Sequence, residues 1–399
     1  MNSFACRVFQ CCFGAGARLL PWRTPEVYTG DRSLLRVADI LRENGLRRPF
    51  VIASRRQCAD EHFRRLQEVL DMQDILLSIF SAVEPNPSVE TVEKIAEQYR
   101  IDRCDCFLVI GGGSPMDAAK AAAALLVRPN RSLSSLAGLL KVRRRIPPFI
   151  AVPTTAGTGS ETTIAAVITG RDHRKYAVSD LCLIPRYAIL DPTLSAGLPP
   201  HITAETGMDA LTHAVEAYLS RFYNTRKTRE QAERAVVTIF SHLERAYRDG
   251  ASLPDRAAML QASFDAGAAF TRASVGNVHA IAHTLGGLYG TAHGLANAVL
   301  LPIVLEDYGA AAYPRLARLA HLVGIQEASA EASARAFIAE IRALNARMGI
   351  PDHFDCIRSA DIPLLASWAC REANPVYPVP VIYDQARFAR VIERSCVKP

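Results

Sequence analysis

The chain lacks the features that most quickly assign a protein to a class. No run of apolar residues reaches the length of a membrane span. The ten cysteines have neither the spacing of a disulfide framework nor that of a CxxC metal knuckle, which favours free thiols in a reducing cytoplasm. The net charge of +6 is modest for 399 residues, and aromatic residues are not interleaved with the arginines. Nucleic-acid binding is therefore not expected.

The first 22 residues lack the pattern of a secretory signal, because Arg7 interrupts the apolar core that a signal peptide needs. Apolar residues recur here at helical spacing: Phe4, Val8, Cys11, Ala15 and Leu19. Arg7 and Arg18 lie off that line, so we predict a short amphipathic helix that packs on the body of the protein or on a partner. A peripheral membrane contact through residues 1–22 is the alternative interpretation.

The rest of the chain changes character near residue 198. Before it, segments of helical periodicity alternate with short apolar runs: Pro49–Ser54, Ile75–Phe80, Cys106–Ile110, Phe149–Pro153, Ala165–Thr169 and Ala188–Leu190. After Pro199 and Pro200, long stretches have helical spacing and none has the pattern of a strand. The sequence predicts an α/β, Rossmann-like domain with a mostly parallel sheet over residues 23–197, followed by an all-helical domain over residues 198–399.

Two glycine-rich loops follow predicted strands of the first domain. Residues 106–120 read CFLVIGGGSPMDAAK, in which a buried strand passes through three glycines into a helix of small residues. Residues 153–163 read PTTAGTGSETT and follow the strand FIAV. The first loop has neither the GxGxxG fingerprint nor the GK[ST] ending of a P-loop. Two such loops at strand ends nevertheless predict a nucleotide site, because N–H groups at a helix start attract a pyrophosphate.

Two stretches of the second domain place histidines near a carboxylate. Asp209 and His213 are four residues apart in TGMDALTHAVEAY, so they share one face of a helix. His279 and His283 share a face in the same way, and His293 follows a Gly-Gly-Leu-Tyr-Gly stretch. Unpartnered buried imidazoles would be costly, so the cluster predicts a bound cation. Nitrogen ligands favour Fe, Zn, Ni or Co over Mg or Ca.

Four segments, in this order, resemble the iron-containing (group III) alcohol dehydrogenases: GGGSPMDAAK, PTTAGTGSE, TGMDALTHAVEAY and HAIAHTLGGLYGTAHGLANAVLLP. The likeness runs from about Pro25 to the C-terminus. It implies a nucleotide-binding α/β domain followed by a helical metal domain. It also implies hydride transfer between NAD or NADP and a small alcohol, aldehyde or ketone, in an enzyme that is expected to form a homodimer.

The resemblance implies roles for individual residues. The ligands of Fe²⁺ or Zn²⁺ would be Asp209, His213, His279 and His293. His283 would lie near the substrate, outside the ligand set, as the candidate proton relay. The pyrophosphate loop would comprise Gly112, Gly113, Ser114 and Asp117. The second cofactor loop would supply Thr154, Thr155 and Thr158, and Lys175 would reach the nicotinamide-side ribose.

Two segments depart from the family pattern. NAD-preferring members often place Asp at the end of the first strand, whereas this chain has Ser54-Arg55-Arg56, which would accept a 2′-phosphate. We therefore predict that Ser54 lies at the cofactor and that NADP is accepted. Near the C-terminus, Asn374-Pro375-Val376-Tyr377-Pro378 replaces the family's asparagine-proline-arginine, so the substrate is not assigned. A hydroxyacid–oxoacid transhydrogenase or another reductase on this fold is the main alternative, and a non-enzymatic metal or nucleotide binder is the third.

Overall fold

The computed structural model of the chain describes residues 3–171 and 175–396. These residues form two compact units. The helical unit joins the residues up to Leu20, which include helix α1 (Ser3–Ala17), to the residues from Leu198 onward. The α/β unit is the continuous segment Pro21–Gly197.

The α/β unit alternates strands and helices along the chain. Its strands, within the described residues, are β1 (Glu26–Thr29), β2 (Pro49–Ile52), β3 (Ser78–Phe80), β4 (Cys106–Gly111), β5 (Gly138–Leu139), β6 (Phe149–Pro153), β7 (Ala165–Thr169), β8 (Lys175–Ser179) and β9 (Tyr187–Leu190). Its helices are α2 (Arg36–Glu43), α3 (Arg55–Cys58), α4 (Glu61–Asp71), α5 (Val89–Ile101) and α6 (Gly113–Val127). Six strands form a parallel sheet in the order β1-β9-β6-β4-β2-β3, which confirms the predicted fold class.

The central strands of this sheet are buried on both faces, as the long apolar runs require. Phe50 and Phe107 point to the face covered by α5 and α6, where Phe107 stacks on Tyr99 with ring centroids 4.7 Å apart. Val51 and Leu108 point to the opposite face, which α2 and α4 cover. Because β2, β4 and β6 are adjacent and parallel, the loops that follow them emerge at one edge of the sheet.

A second, three-stranded sheet has the order β5-β8-β7. The predicted strand Ala165–Thr169 belongs to this sheet and pairs antiparallel with β8, so it is not a strand of the parallel sheet. The alternating burial of this strand explains why it lies outside the parallel sheet. One of its faces remains partly exposed, whereas a central strand of a parallel sheet is covered on both faces. Strands β1, β5 and β8 were not predicted, since they are short or contain polar residues.

The helical unit contains no strand among its described residues, as predicted. After α1, its helices are α7 (Pro200–Leu219), α8 (Arg226–Arg248), α9 (Leu253–Ala273), α10 (Asn277–Tyr289), α11 (His293–Tyr308), α12 (Tyr313–Leu322), α13 (Ala330–Arg347), α14 (Ile362–Ala373) and α15 (Gln385–Arg394). Helix α7 packs against α8, α9 and α11. No helix in the described part of the chain combines the length and the apolar character needed to cross a membrane.

Helix α1 packs on the helical unit in an unusual orientation. The apolar residues noted above face outward, and the side chains of Phe4 and Leu19 are 75% and 88% exposed. The buried line is instead Cys6, Gln10 and Gly14. A Cβ on Gly14 would lie 2.9 Å from the carbonyl oxygen of Phe222, so the helix approaches the body most closely at this glycine. The predicted apolar stripe therefore does not form the contact between α1 and the other helices of the unit.

Candidate functional site

Helix α7 carries the first two predicted metal ligands. Fifteen of its twenty residues are buried, including Asp209 and His213. A Cβ on Gly207 would lie 2.2 Å from Leu243 Cδ1 of α8, so any larger residue would force the buried Leu243 side chain to move. On the inner face of α7, Asp209 Oδ1 lies 3.9 Å from His213 Nδ1.

Helices α10 and α11 complete the cluster. His279 Nε2 and His293 Nε2 lie 3.7 Å and 3.5 Å from the same oxygen of Asp209. His293 begins α11 shortly after Gly290, whose φ of 68° is the left-handed conformation that glycine adopts readily. The four side chains offer ligand atoms that all lie within 4.8 Å of one another. The structure thus brings together the whole set Asp209, His213, His279 and His293.

A further acidic residue of α7, Glu216, supports this cluster. Its carboxylate accepts hydrogen bonds from the backbone N–H groups of Gly276 (2.7 Å) and Val278 (2.8 Å) and from His279 Nδ1 (2.6 Å). A negative charge at the amino end of α10 is favourable. Because Nδ1 of His279 donates to Glu216, the lone pair of Nε2 is directed into the cluster, as a metal ligand requires. Glu216 was not predicted as a site residue, although its seven-residue spacing from Asp209 places both on one helical face.

The cluster favours positive charge at its centre. Burial alone would raise the pKa of Asp209, but the imidazoles of His213, His293 and His279 hold this pKa well below its usual range. Burial alone would lower the pKa of His279, but Asp209 and Glu216 raise it to about 9. Asp209 and Glu216 thus stabilise positive charge at the position that a cation would take.

Asn297 also contacts the cluster and was not predicted, although it lies four residues after His293 on α11. Its Nδ2 donates to Asp209 Oδ1 at 2.7 Å and lies 3.1 Å and 3.2 Å from the Nε2 atoms of His279 and His293. The same acceptors suit a metal ion. Tetrahedral bonds of about 2.0–2.2 Å separate two ligand atoms by about 3.4 Å, and the observed separations from Asp209 Oδ1 are 3.5–3.9 Å. One carboxylate and three imidazoles thus fit Fe²⁺ or Zn²⁺.

His283 lies beside the cluster and outside it. Its ring stacks on that of His293, with centroids 5.2 Å apart. Nδ1 of His283 donates to Glu372 Oε1 at 2.5 Å, and the hydroxyl of Tyr377 donates to the same oxygen at 2.7 Å. Burial alone would raise the pKa of Glu372, but the neighbouring His283 and these hydrogen bonds hold that pKa below its usual value. Glu372 and Tyr377 were not predicted as site residues, although Tyr377 lies within the departure from the family pattern and Glu372 lies two residues before it.

In the α/β unit, the two glycine-rich loops meet at the carboxyl edge of the parallel sheet. A Cβ on Gly112 would lie 3.1 Å from Thr155 Oγ1, and one on Gly113 would lie 3.0 Å from Thr158 Cγ2. Glycine at both positions allows the loops to approach closely at the amino end of α6. That helix end has no side-chain cap, so its first N–H groups are suited to an anion.

Asp117 makes its contacts within the protein. Its carboxylate accepts hydrogen bonds from Ser160 Oγ (3.0 Å) and from the N–H of Val167 (3.1 Å). One turn further along α6, the buried Lys120 donates to the carbonyl (3.0 Å) and the hydroxyl (2.8 Å) of Thr163. Burial raises the pKa of Asp117 to about 6 and lowers that of Lys120 to about 8. Together these side chains fasten α6 to the loop that contains Thr158. Lys120 ends the quoted motif but was not predicted as a site residue.

Lys175 and Ser114 share a partner that the sequence did not reveal. Nζ of Lys175 donates to Asn86 Oδ1 at 2.7 Å, and the N–H of Asn86 donates to Ser114 Oγ at 3.3 Å. The structure therefore brings the predicted lysine close to the first glycine-rich loop.

Ser54 lies just after β2, on the same edge of the sheet. Its Oγ accepts a hydrogen bond from the N–H of Gln57 at 3.2 Å and so caps α3. Gln57 Nε2 in turn donates to Thr154 Oγ1 at 3.1 Å, which links two of the predicted cofactor residues. Arg55 and Arg56 are exposed beside them.

Both units match models of one protein family. The model described as iron-containing alcohol dehydrogenase matches residues 24–192, and that of the Fe-containing alcohol dehydrogenase family, C-terminal, matches residues 203–394. The chain belongs to the iron-containing alcohol dehydrogenase family. The resemblance inferred from its motifs is confirmed, and membership identifies the protein as an alcohol oxidoreductase.

Individual relatives agree with this membership. This chain is 40% identical to the 1,3-propanediol dehydrogenase of Klebsiella pneumoniae over 306 residues, which cover 75% of this chain and 78% of that enzyme. It is 36% identical to the NAD-dependent methanol dehydrogenase of Bacillus methanolicus over 308 residues, 75% of this chain and 80% of that one. The crystal structure of a 1,3-propanediol oxidoreductase superposes with a TM-score of 0.89 at 33% identity, and the match covers 95% of this chain and 100% of that chain.

Proposed function

We propose that this family member is a metal-dependent alcohol dehydrogenase that uses NAD or NADP, with Asp209, His213, His279 and His293 as ligands of Fe²⁺ or Zn²⁺. The observation that carries the proposal is the four-donor cluster, in which three imidazoles converge on one buried carboxylate. The proton of His279 is directed away from the cluster by Glu216, so the geometry supports metal binding over a set of histidines that merely fill the core.

The remaining side chains would handle the substrate proton. A bound cation would supply Lewis acidity at the substrate oxygen, and a nicotinamide would exchange the hydride. His283 binds Glu372 through Nδ1, so its opposite ring nitrogen is the one that would exchange a proton with the substrate. The Glu372 carboxylate would hold the orientation of the ring during that exchange.

We assign the cofactor to the α/β unit. Gly112, Gly113 and Ser114 would bind the pyrophosphate through the amino end of α6. Thr154, Thr155, Thr158 and Lys175 would contact the rest of the cofactor. A carboxylate next to a pyrophosphate would repel it, and Asp117 is already bound to Ser160 and Val167. Asp117 would therefore act by holding the second loop in place.

Acceptance of NADP stays a prediction that rests on Ser54, Arg55 and Arg56. All three are exposed after β2, and none of them would repel a 2′-phosphate. Measuring kcat/KM with NADP and with NAD decides this point, and a preference for NAD of more than about tenfold, or about 1.4 kcal/mol, would contradict it.

The decisive experiment is anaerobic purification, measurement of bound metal, and assay of short alcohols and aldehydes with both nicotinamides. The names of two relatives, 1,3-propanediol dehydrogenase and NAD-dependent methanol dehydrogenase, make short primary alcohols and diols the first substrates to test. We expect about one metal ion per chain and hydride transfer to soluble cofactor. Turnover only with an oxoacid acceptor, without cofactor exchange, would indicate the transhydrogenase instead. Metal without redox activity would indicate a binding protein.

The matched variants are Asp209→Ala and His321→Ala. Asp209→Ala should abolish metal binding and activity together, because it removes the carboxylate on which the three imidazoles converge. His321→Ala removes an exposed histidine from the last turn of α12 and should change neither. Retention of metal by Asp209→Ala would refute the ligand assignment. The homodimer and the cytoplasmic location stay predictions; all ten cysteines are free in the structure.

A further inference from the structure

The segment Pro375–Pro380 cannot provide hydrogen-bond donors for all of its own backbone carbonyl groups. Three of its six residues are prolines, which have no N–H to donate and fix φ. Its carbonyl groups therefore need donors from elsewhere, since buried carbonyls without partners are costly. Each of the six carbonyls has such a donor in the helical unit.

Helix α1 supplies donors for four of these six carbonyls. Arg7 donates through Nη1 to the carbonyl of Val379 (2.7 Å) and through Nη2 to that of Pro380 (2.8 Å). Gln10 Nε2 donates to the carbonyls of Pro375 (2.9 Å) and Tyr377 (2.7 Å). Arg7 Nη1 also donates to Gln10 Oε1 at 2.9 Å, which holds the two side chains in register. The polar residues that point inward from α1 are thus those that this segment requires.

The same helix supports a fifth carbonyl indirectly. Phe13 of α1 packs on Tyr223, with ring centroids 5.2 Å apart. The hydroxyl of Tyr223 donates to the carbonyl of Val376 at 2.9 Å. The backbone on both sides of Tyr377 is therefore fixed by contacts that depend on α1.

Tyr377 connects this segment to the site. Its hydroxyl donates to the oxygen of Glu372 that also accepts from His283 Nδ1. The Tyr377 hydroxyl lies 2.7 Å from Glu372 Oε1, and His283 Nδ1 lies 2.5 Å from the same oxygen. A shift of the backbone at Tyr377 by about 1 Å would break the hydrogen bond between Tyr377 and Glu372. Hydrogen bonds thus connect Gln10 to Tyr377, Tyr377 to Glu372, and Glu372 to His283 without a break.

We propose that Arg7 and Gln10 of the N-terminal helix are positioning residues for His283, acting through the segment Pro375–Pro380 and the pair Tyr377–Glu372. This inference rests on the proposed role of His283 in proton exchange. It gives α1 a part in catalysis although the helix lies outside both family matches, which cover residues 24–192 and 203–394.

The test uses a substitution that keeps the shape of Gln10. Gln10→Glu replaces the donor Nε2 by an acceptor facing two carbonyls, while the contact with Arg7 is retained. We expect kcat to fall about tenfold, the factor of about 1.4 kcal/mol, with metal content and the KM for the nicotinamide unchanged. Tyr377→Phe should have a similar effect, and the double variant should be no worse than the stronger single one. Phe4→Ala changes an exposed residue of the same helix and serves as the control.

Amide hydrogen exchange of the full-length protein supplies a readout that does not need turnover. The N–H of Tyr377 donates to the carbonyl of Ala373 and that of Val379 to the carbonyl of Tyr377. Both amides should exchange faster in Gln10→Glu and at the wild-type rate in Phe4→Ala.

Four results would overturn the proposal or a part of it. Unchanged exchange in Gln10→Glu would show that α1 does not hold the segment. Faster exchange with unchanged kcat, or independent effects of Gln10→Glu and Tyr377→Phe, would remove the positioning role. Absence of turnover in the wild-type protein would refute the proposed reaction itself, and exchange would still decide whether α1 holds the segment.

Discussion

Glu216→Gln tests how much the metal cluster depends on a residue that binds no metal. The carboxylate accepts three hydrogen bonds from buried donors: the N–H groups of Gly276 and Val278, and His279 Nδ1. Glutamine keeps the shape but has one acceptor oxygen, so its NH₂ group must face at least one of these donors. Each unsatisfied buried donor costs about 1–3 kcal/mol. Loss of the negative charge at the amino end of α10 adds about 0.3–1 kcal/mol.

We therefore expect the metal-free variant to lose about 1–4 kcal/mol of unfolding free energy, the sum of these contributions. Its metal affinity should fall about 10- to 100-fold, because His279 is no longer held in the tautomer that directs Nε2 at the cluster. Chemical denaturation of the metal-free protein measures the first effect, and competition for Zn²⁺ with a chromogenic chelator measures the second.

Glu230→Gln is the matched control, because Glu230 lies on the surface and pairs with an exposed arginine, Arg226. That change should alter the unfolding free energy by less than about 1 kcal/mol and leave metal affinity unchanged. A folded Glu216→Gln protein with wild-type metal affinity would refute the argument that Glu216 orients His279.

Two further predictions concern the proton relay and the buried acid of the second loop. His283→Ala should lower kcat about 100-fold or more while metal content stays near one ion per chain; loss of metal would instead place His283 in the ligand set. Burial raises the pKa of Glu161 to about 7, so the folded state binds this proton more tightly than the unfolded chain does, and the contribution of Glu161 to stability falls as pH rises from 4.5 to 7. Glu161→Gln removes that fall, and its stability relative to wild type should increase by on the order of 3 kcal/mol between pH 4.5 and 8, measured by denaturation at several pH values; a constant difference would contradict the assignment.

The residues that sequence analysis identified are those whose type conflicts with their surroundings. Asp209, His213 and His279 stand among small apolar neighbours, and that conflict points to shared chemistry. Glu216 could not be identified in this way. An acid on a helix is usually exposed, and no local pattern indicates that this one meets the amino end of a helix sixty residues later.

The fold was predictable where burial is uniform and less so where it is mixed. The fully buried runs of β2, β4 and β6 identified the parallel sheet. The alternating burial of β7 is typical of any half-buried strand. The sequence of β7 therefore did not indicate that this strand pairs in a second sheet. Helix α1 has a periodic apolar stripe, yet its polar side chains face inward, since what they contact is a proline-rich backbone distant in sequence.

The residues of the two units become available for folding at different times during synthesis. The α/β unit is one continuous segment, whereas the helical unit needs both α1 and the residues from Leu198 onward. The contacts of Arg7 and Gln10 with Pro375–Pro380 span 365–373 residues, so α1 emerges from the ribosome long before its partners do. Closing such long loops carries a large entropic cost, and domains made from continuous segments form first. Docking of α1 is thus a late event in folding, and protection of its backbone would report that the helical unit is complete.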